Sequence, residues 1–84
     1  MPKLTRDLIQ GIKLTMNFRE HNPPHFHTAY GEHEVALRFD GSIEAGSLPQ
    51  AKLKIVMEWA SLNQAALAAR WELASSGRNF TTID

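Results

Sequence analysis

Residues 21–27 of the 84-residue chain read His21-Asn22-Pro23-Pro24-His25-Phe26-His27 and hold three of its four histidines. Imidazoles titrate near neutral pH, act as general bases and ligate transition metals. If the chain is extended after the prolines, His25 and His27 share one strand face, about 6.5–7 Å apart. Two such rings could share Zn²⁺ at bonds of about 2.0–2.1 Å. His21 could swing in from the loop, and Glu34 falls roughly on the same face. The ligand count argues against a metal. A structural site wants four ligands, and without Cys all would have to be His, Asp or Glu. The expected positive neighbour Arg38 would also oppose a cation and favour an anion, such as a phosphate or a partner's carboxylate. We therefore expect no tightly bound metal and no cofactor. The expected functional face is His21, His25, His27, Arg38, Glu34 and Arg19. The alternative is a loop shaped by Pro23 and Pro24, around which the imidazoles pack and hydrogen-bond.

Other constellations carry less chemistry. Glu32 and Glu34 are acids beside a turn, where carboxylates are usually solvated. Ser42, Ser47, Ser61, Ser75 and Ser76 lie in no nucleophile motif. Trp59 and Trp71 sit near an apolar helical stripe and read as core.

The elements that position the histidines follow from periodicity. From Gly11 to Arg19 the chain alternates, with Ile12, Leu14, Met16 and Phe18 on one side, which predicts a strand over 11–19. A second strand spans 25–30 and a third 33–39, joined at Gly31-Glu32. That turn sets Tyr30 against His33, Thr28 against Val35, Phe26 against Leu37, His27 against Ala36 and His25 against Arg38. It sorts Phe26, Tyr30, Val35, Leu37 and Phe39 from His25, His27, Glu34 and Arg38, a sorting that a one-residue slip would destroy. A three-residue turn, Asp40-Gly41-Ser42, would pair Phe39 with Ile43 and Arg38 with Glu44, and predicts an edge strand over 43–46. Leu53, Val56, Ala60, Leu67, Trp71 and Ala74 then mark an amphipathic helical segment. It would be about 40 Å long if unbroken, too long for this domain. The capping-box pattern Ser61-Leu62-Asn63-Gln64 predicts a bend or break between helices at 49–61 and 62–76. Gly77 ends the second, and Phe80 and Ile83 in the tail are expected to pack back. The expectation is one α+β domain over 1–84: a four-stranded antiparallel meander with one bent helix or two helices on its apolar face.

Lys and Arg (9) balance Asp and Glu (9), so no global basic field gathers nucleic acid. A local patch is the remaining route. Lys13, Arg19, Arg38, His25 and His27 would make one mildly basic sheet face, but Phe18, Phe26 and Phe39 point away from it, unlike the stacking aromatics of RNA-reading sheets. There is no Cys for a thiol nucleophile or disulfide. No stretch reads as a signal peptide or membrane span, so a cytoplasmic protein is expected.

The combination of Gly11-Ile12, His21-Asn22-Pro23-Pro24-His25-Phe26-His27, Tyr30-Gly31-Glu32, Gly46-Ser47-Leu48-Pro49, Glu58-Trp59-Ala60 and Trp71 resembles the small family catalogued as domain of unknown function 4160. The resemblance covers roughly residues 4–83, with Pro-Pro-His-Phe-His as its most specific part and a shorter turn at Asp40-Gly41-Ser42 as a departure. It implies a cytosolic bacterial or archaeal protein, often encoded beside another small protein in a toxin–antitoxin-like pairing. It implies no catalytic residue.

Three functions follow as expectations. The first is a non-enzymatic interaction module acting through a small protein partner in a toxin–antitoxin-like or regulatory pair. The second is a small histidine- or metal-dependent enzyme, nuclease-like, with His25 or His27 as general base beside Arg38. The third is a nucleic-acid-binding accessory.

Overall fold

The computed structural model describes residues 2–83. Four strands form one antiparallel sheet in the order β1 (Lys13–Thr15), β2 (His25–Tyr30), β3 (His33–Arg38) and β4 (Ile43–Ser47). Two helices follow, α1 (Gln50–Leu62) and α2 (Gln64–Ser75). The arrangement is the expected α+β one. Among the described residues no helix is long and apolar enough to cross a membrane.

The β2–β3 register is the one the turn chemistry predicts, from Tyr30 opposite His33 to His25 opposite Arg38. Gly31 holds the turn at φ +58°, a conformation that costs glycine little. Phe26, Val35 and Leu37 are buried on one face, with Ile12, Leu14, Met16, Leu4 and Leu48. The helices add Val56, Ala60, Leu67, Trp71 and Ala74 to the same core. Phe39, Trp59, Phe80 and Ile83 pack around it, so the tail does return.

The first strand is shorter than the 11–19 expected, and Phe18 is exposed rather than on the apolar face. The alternation ends at Met16 because Arg19 takes a left-handed backbone (φ +57°) and turns the chain. Phe18 meets Phe80 edge-on instead, with centroids 6.2 Å apart. The N-terminal segment also does more than its sequence announces. Gln10 and Gly11, both at positive φ, close a two-residue turn in which Ile9 and Ile12 exchange both backbone hydrogen bonds. Residues 2–9 thereby run back beside β1, with Leu4 N–H donating to Leu14 C=O and Met16 N–H to Pro2 C=O.

The β3–β4 loop has three residues, but they are Phe39-Asp40-Gly41, one position earlier than expected. Arg38 N–H donates to Ser42 C=O, and Gly41 N–H donates back to Arg38 C=O. This turn needs its third residue left-handed. Gly41 takes that place at φ +91°, whereas the expected register would have put Ser42 there. Leu37 therefore faces Ile43, Glu44 bulges out, and Ala36 faces Ala45. The Arg38–Glu44 ion pair forms across the bulge all the same, at 2.6 Å.

The helical break falls at Asn63, within the expected tetrapeptide, but not through a capping box. Asn63 Nδ2 donates to Trp59 C=O (2.8 Å) and so finishes α1. At its far end α2 stops in a Schellman arrangement, Gly77 N–H to Ala74 C=O and Arg78 N–H to Leu73 C=O.

Candidate functional site

The turn after β1 and the first residues of β2 meet beside the end of α2. Arg19 N–H donates to the Ala74 carbonyl (2.9 Å), which pins the turn to the helix. The β1–β2 register places Thr15 opposite His27, so the stretch after Thr15 runs alongside His25. The chain returns through a loop with a cis peptide bond between Asn22 and Pro23.

This arrangement puts Glu20 between two imidazoles. Its Oε1 lies 3.1 Å from His27 Nε2 and its Oε2 lies 3.6 Å from His25 Nε2. Asn17 Nδ2 donates to Oε1 at 2.8 Å. That hydrogen bond chiefly holds the Glu20 carboxyl below its usual range; partial burial pushes the other way, and the His27 hydrogen bond and the two nearby imidazoles add to the lowering. The rings of His25 and His27 meet edge-on at 5.1 Å, and His25 lies 5.5 Å from the ring of Trp71 on α2. His25 Nδ1 is 2.7 Å from Pro23 C=O. A carbonyl can only accept, so Nδ1 carries a proton, and Nε2 is the ring nitrogen turned towards Glu20. One ligand atom from each of Glu20, His25 and His27 lies within 4.8 Å of the others, a grouping that could hold a metal ion.

The other expected site residues surround this cluster without joining it, although Arg38 stands directly opposite His25. Arg38 is turned to Glu44. The Arg19 guanidinium lies over Gly77. Glu34 is exposed opposite Ala29 and Ser47, and His21 is exposed in the loop. The register keeps His25, His27, Glu34 and Arg38 on one sheet face, with Arg19 and His21 in the turn and loop that lead to it, and both imidazoles meet Glu20 rather than Arg38.

Glu20, Asn17 and the Trp71 contact were missed. The register of the first hairpin brings the first two beside β2. Once Lys13 pairs with Ala29, counting inward sets Asn17 opposite His25 and leaves only four residues, 18–21, to lead into Asn22-Pro23-Pro24. Nothing in the sequence ties Trp71 to His25.

The helix-free face of the sheet holds a shallow depression of about 370 Å³. Ala29, Ala36 and Ala45 form its floor, with Lys13, His27 and Glu34 among the residues around it. β4 borders it, exposed at all five residues.

An antiparallel meander with helices on one face and a bare, alanine-floored second face is a small two-layer α+β module. The chain belongs to the family described as Domain of unknown function (DUF4160), whose model matches residues 11–72. The match takes in the four strands, the Glu20–His25–His27 cluster and Trp71, and is narrower than the resemblance over roughly 4–83. No curated protein and no solved structure matches the chain.

Proposed function

We propose that the protein is a non-enzymatic interaction module that receives an extended segment of a small protein partner along β4 and across the alanine floor. The observation that carries this reading is the asymmetry of the sheet. Residues 2–9 run beside β1, while β4 is exposed along its whole length. An exposed edge offers backbone donors and acceptors to an added strand, and small side chains beside it leave room for the partner's own. The family resemblance supports a small protein as that partner, in a toxin–antitoxin-like or regulatory pair in the cytoplasm.

The test is capture from source cells with the wild-type chain and with Ala36→Glu and Ala45→Lys, followed by reconstitution of the purified pair. A stoichiometric partner retained by the wild type and lost by both folded variants supports the reading. A partner held equally by the variants, or none at all, overturns it.

The Glu20–His25–His27 cluster favours one second reading, the histidine- or metal-dependent enzyme. With Arg38 engaged by Glu44, charge stabilisation in such an enzyme would fall to a bound cation rather than to Arg38.

A further inference from the structure

We propose that Glu20, His25 and His27 form a binding site for one divalent transition-metal ion of the zinc type, bound through the Glu20 carboxylate and the Nε2 atoms of both histidines. The site borders the alanine floor, since His27 lines both, but it stands independently of the docking reading.

Geometry is the first argument. An ion about 2.0–2.1 Å from tetrahedral ligands sets those ligands about 3.3–3.4 Å apart. Each imidazole stands near that spacing from its own carboxylate oxygen, His27 Nε2 3.1 Å from Glu20 Oε1 and His25 Nε2 3.6 Å from Glu20 Oε2. One ligand atom from each of the three residues lies within 4.8 Å of the others, so small side-chain rotations would bring one carboxylate oxygen and both rings onto a single ion.

The outer contacts of the ligands supply the second argument. Metal-bound histidines usually donate their other ring N–H to a carbonyl or carboxylate, which fixes tautomer and ring direction. His25 already does so, through Nδ1 to Pro23 C=O. Ligating carboxylates are themselves hydrogen-bonded, and Asn17 does this for Glu20. His25 Nε2 and Glu20 Oε2 stand 3.6 Å apart, two atoms that each offer a lone pair once their protons are gone. Two acceptors opposed in this way call for a proton or a cation between them.

Access is the third. The side chains of His25, Glu20 and His27 are 11%, 26% and 31% exposed, so an ion can enter without unfolding the chain. The expectation of no tightly bound metal counted two histidines and a facing Arg38. Here there are three ligands, and Arg38 is paired with Glu44. Binding would replace the His27 Nε2–H to Glu20 hydrogen bond with metal bonds to both atoms. Three protein ligands leave a fourth position for water or an incoming group, unlike a closed structural zinc site. A mixed nitrogen–oxygen set of this kind favours zinc, cobalt or nickel over magnesium or calcium, which want oxygen ligands.

The experiment uses the untagged chain, stripped with chelator and dialysed free of it. Zn²⁺ alone is titrated by calorimetry in a non-coordinating buffer, and Co²⁺ is followed by its ligand-field absorption. We expect one equivalent of Zn²⁺ with a dissociation constant in the micromolar range or tighter, and no comparable binding of Mg²⁺ or Ca²⁺. Glu20→Gln, close in shape to the wild type, and His27→Ala should each weaken binding at least tenfold. His21→Ala and His33→Ala should leave it unchanged. Circular dichroism and thermal melting verify that each variant folds. Ni²⁺ should also quench Trp71, read in a Trp59→Phe background. Equal binding by wild type and Glu20→Gln, equal loss in the His33→Ala control, or no Zn²⁺ uptake would overturn the proposal.

Discussion

Along β1 the sheet gains a further run of backbone pairing. Leu4, itself buried, donates to Leu14 and accepts from Ile83, so both ends of the chain meet at that edge. Along β4 no such pairing is added among the described residues, and the edge is kept irregular by the Glu44 bulge and by Gly46 at φ +82°. Bulges and short strands discourage unspecific edge pairing. The contrast separates two tasks. One edge closes the fold, and the other stays open without being a flat template for aggregation.

Leu4→Ala should break the closed edge most severely. It removes a fully buried side chain, and such truncations cost about 2–5 kcal/mol. Ile43→Ala, on the open edge, should change stability by less than about 0.5 kcal/mol. Urea unfolding of the two variants measures the difference, and equal losses would erase the distinction between the edges.

Gly46→Ala comes next. A Cβ there would run into the Glu34 carbonyl across the strand pair, at a backbone angle that L residues avoid. We expect a loss of about 1–3 kcal/mol. Gly31→Ala, also at positive φ but with nothing near its Cβ, should cost about 1 kcal/mol. The gap between these glycines isolates the close strand approach behind the bulge.

Lys52 sharpens the other side. Its ammonium donates to Gln10 C=O (2.9 Å) and lies 4.8 Å from the Tyr30 ring centroid, tying α1 to the N-terminal turn. Lys52→Ala should cost about 0.5–1 kcal/mol, again by urea unfolding.

The smallest effect concerns pH at the β3–β4 loop. Asp40 lies below its ordinary range chiefly because the Ser42 hydroxyl, and then the Ser42 amide, donate to it. A carboxyl lowered by folding adds stability above its unfolded pKa, and that stability fades as pH falls through the lowered folded value. Melting temperatures should therefore drop slightly less on acidification in Asp40→Asn than in the wild type.

How much of this was legible varies with how local the cause is. The β2–β3 register was readable because Gly31-Glu32 and the alternation on both sides demand the same pairing. The break at residues 61–64 was readable, but its agent was not. The tetrapeptide suggested a capping box, and Asn63 instead bonds backwards to Trp59. The β3–β4 register failed by one residue because an opposite-charge pair was weighted above the backbone need of Gly41. That pair survives a bulge; the turn geometry does not tolerate a slip. The candidate site was half legible. His25 and His27 stand out in the sequence, while Glu20 is brought to them by the turn at Arg19, which leans on Ala74, 55 residues away in sequence. No local pattern encodes such a contact.

The Ala74 carbonyl accepts both from Gly77 N–H, just past its own helix, and from Arg19 N–H in the turn that carries Glu20. One acceptor therefore couples the fraying of α2 to the loosening of that turn. Local openings of this kind set amide exchange lifetimes. In deuterium exchange the Arg19 amide should keep time with the last turn of α2 rather than with β1, its neighbour in sequence. A deletion that unwinds the C-terminal turn should shorten the Arg19 lifetime even with every residue before 70 left untouched.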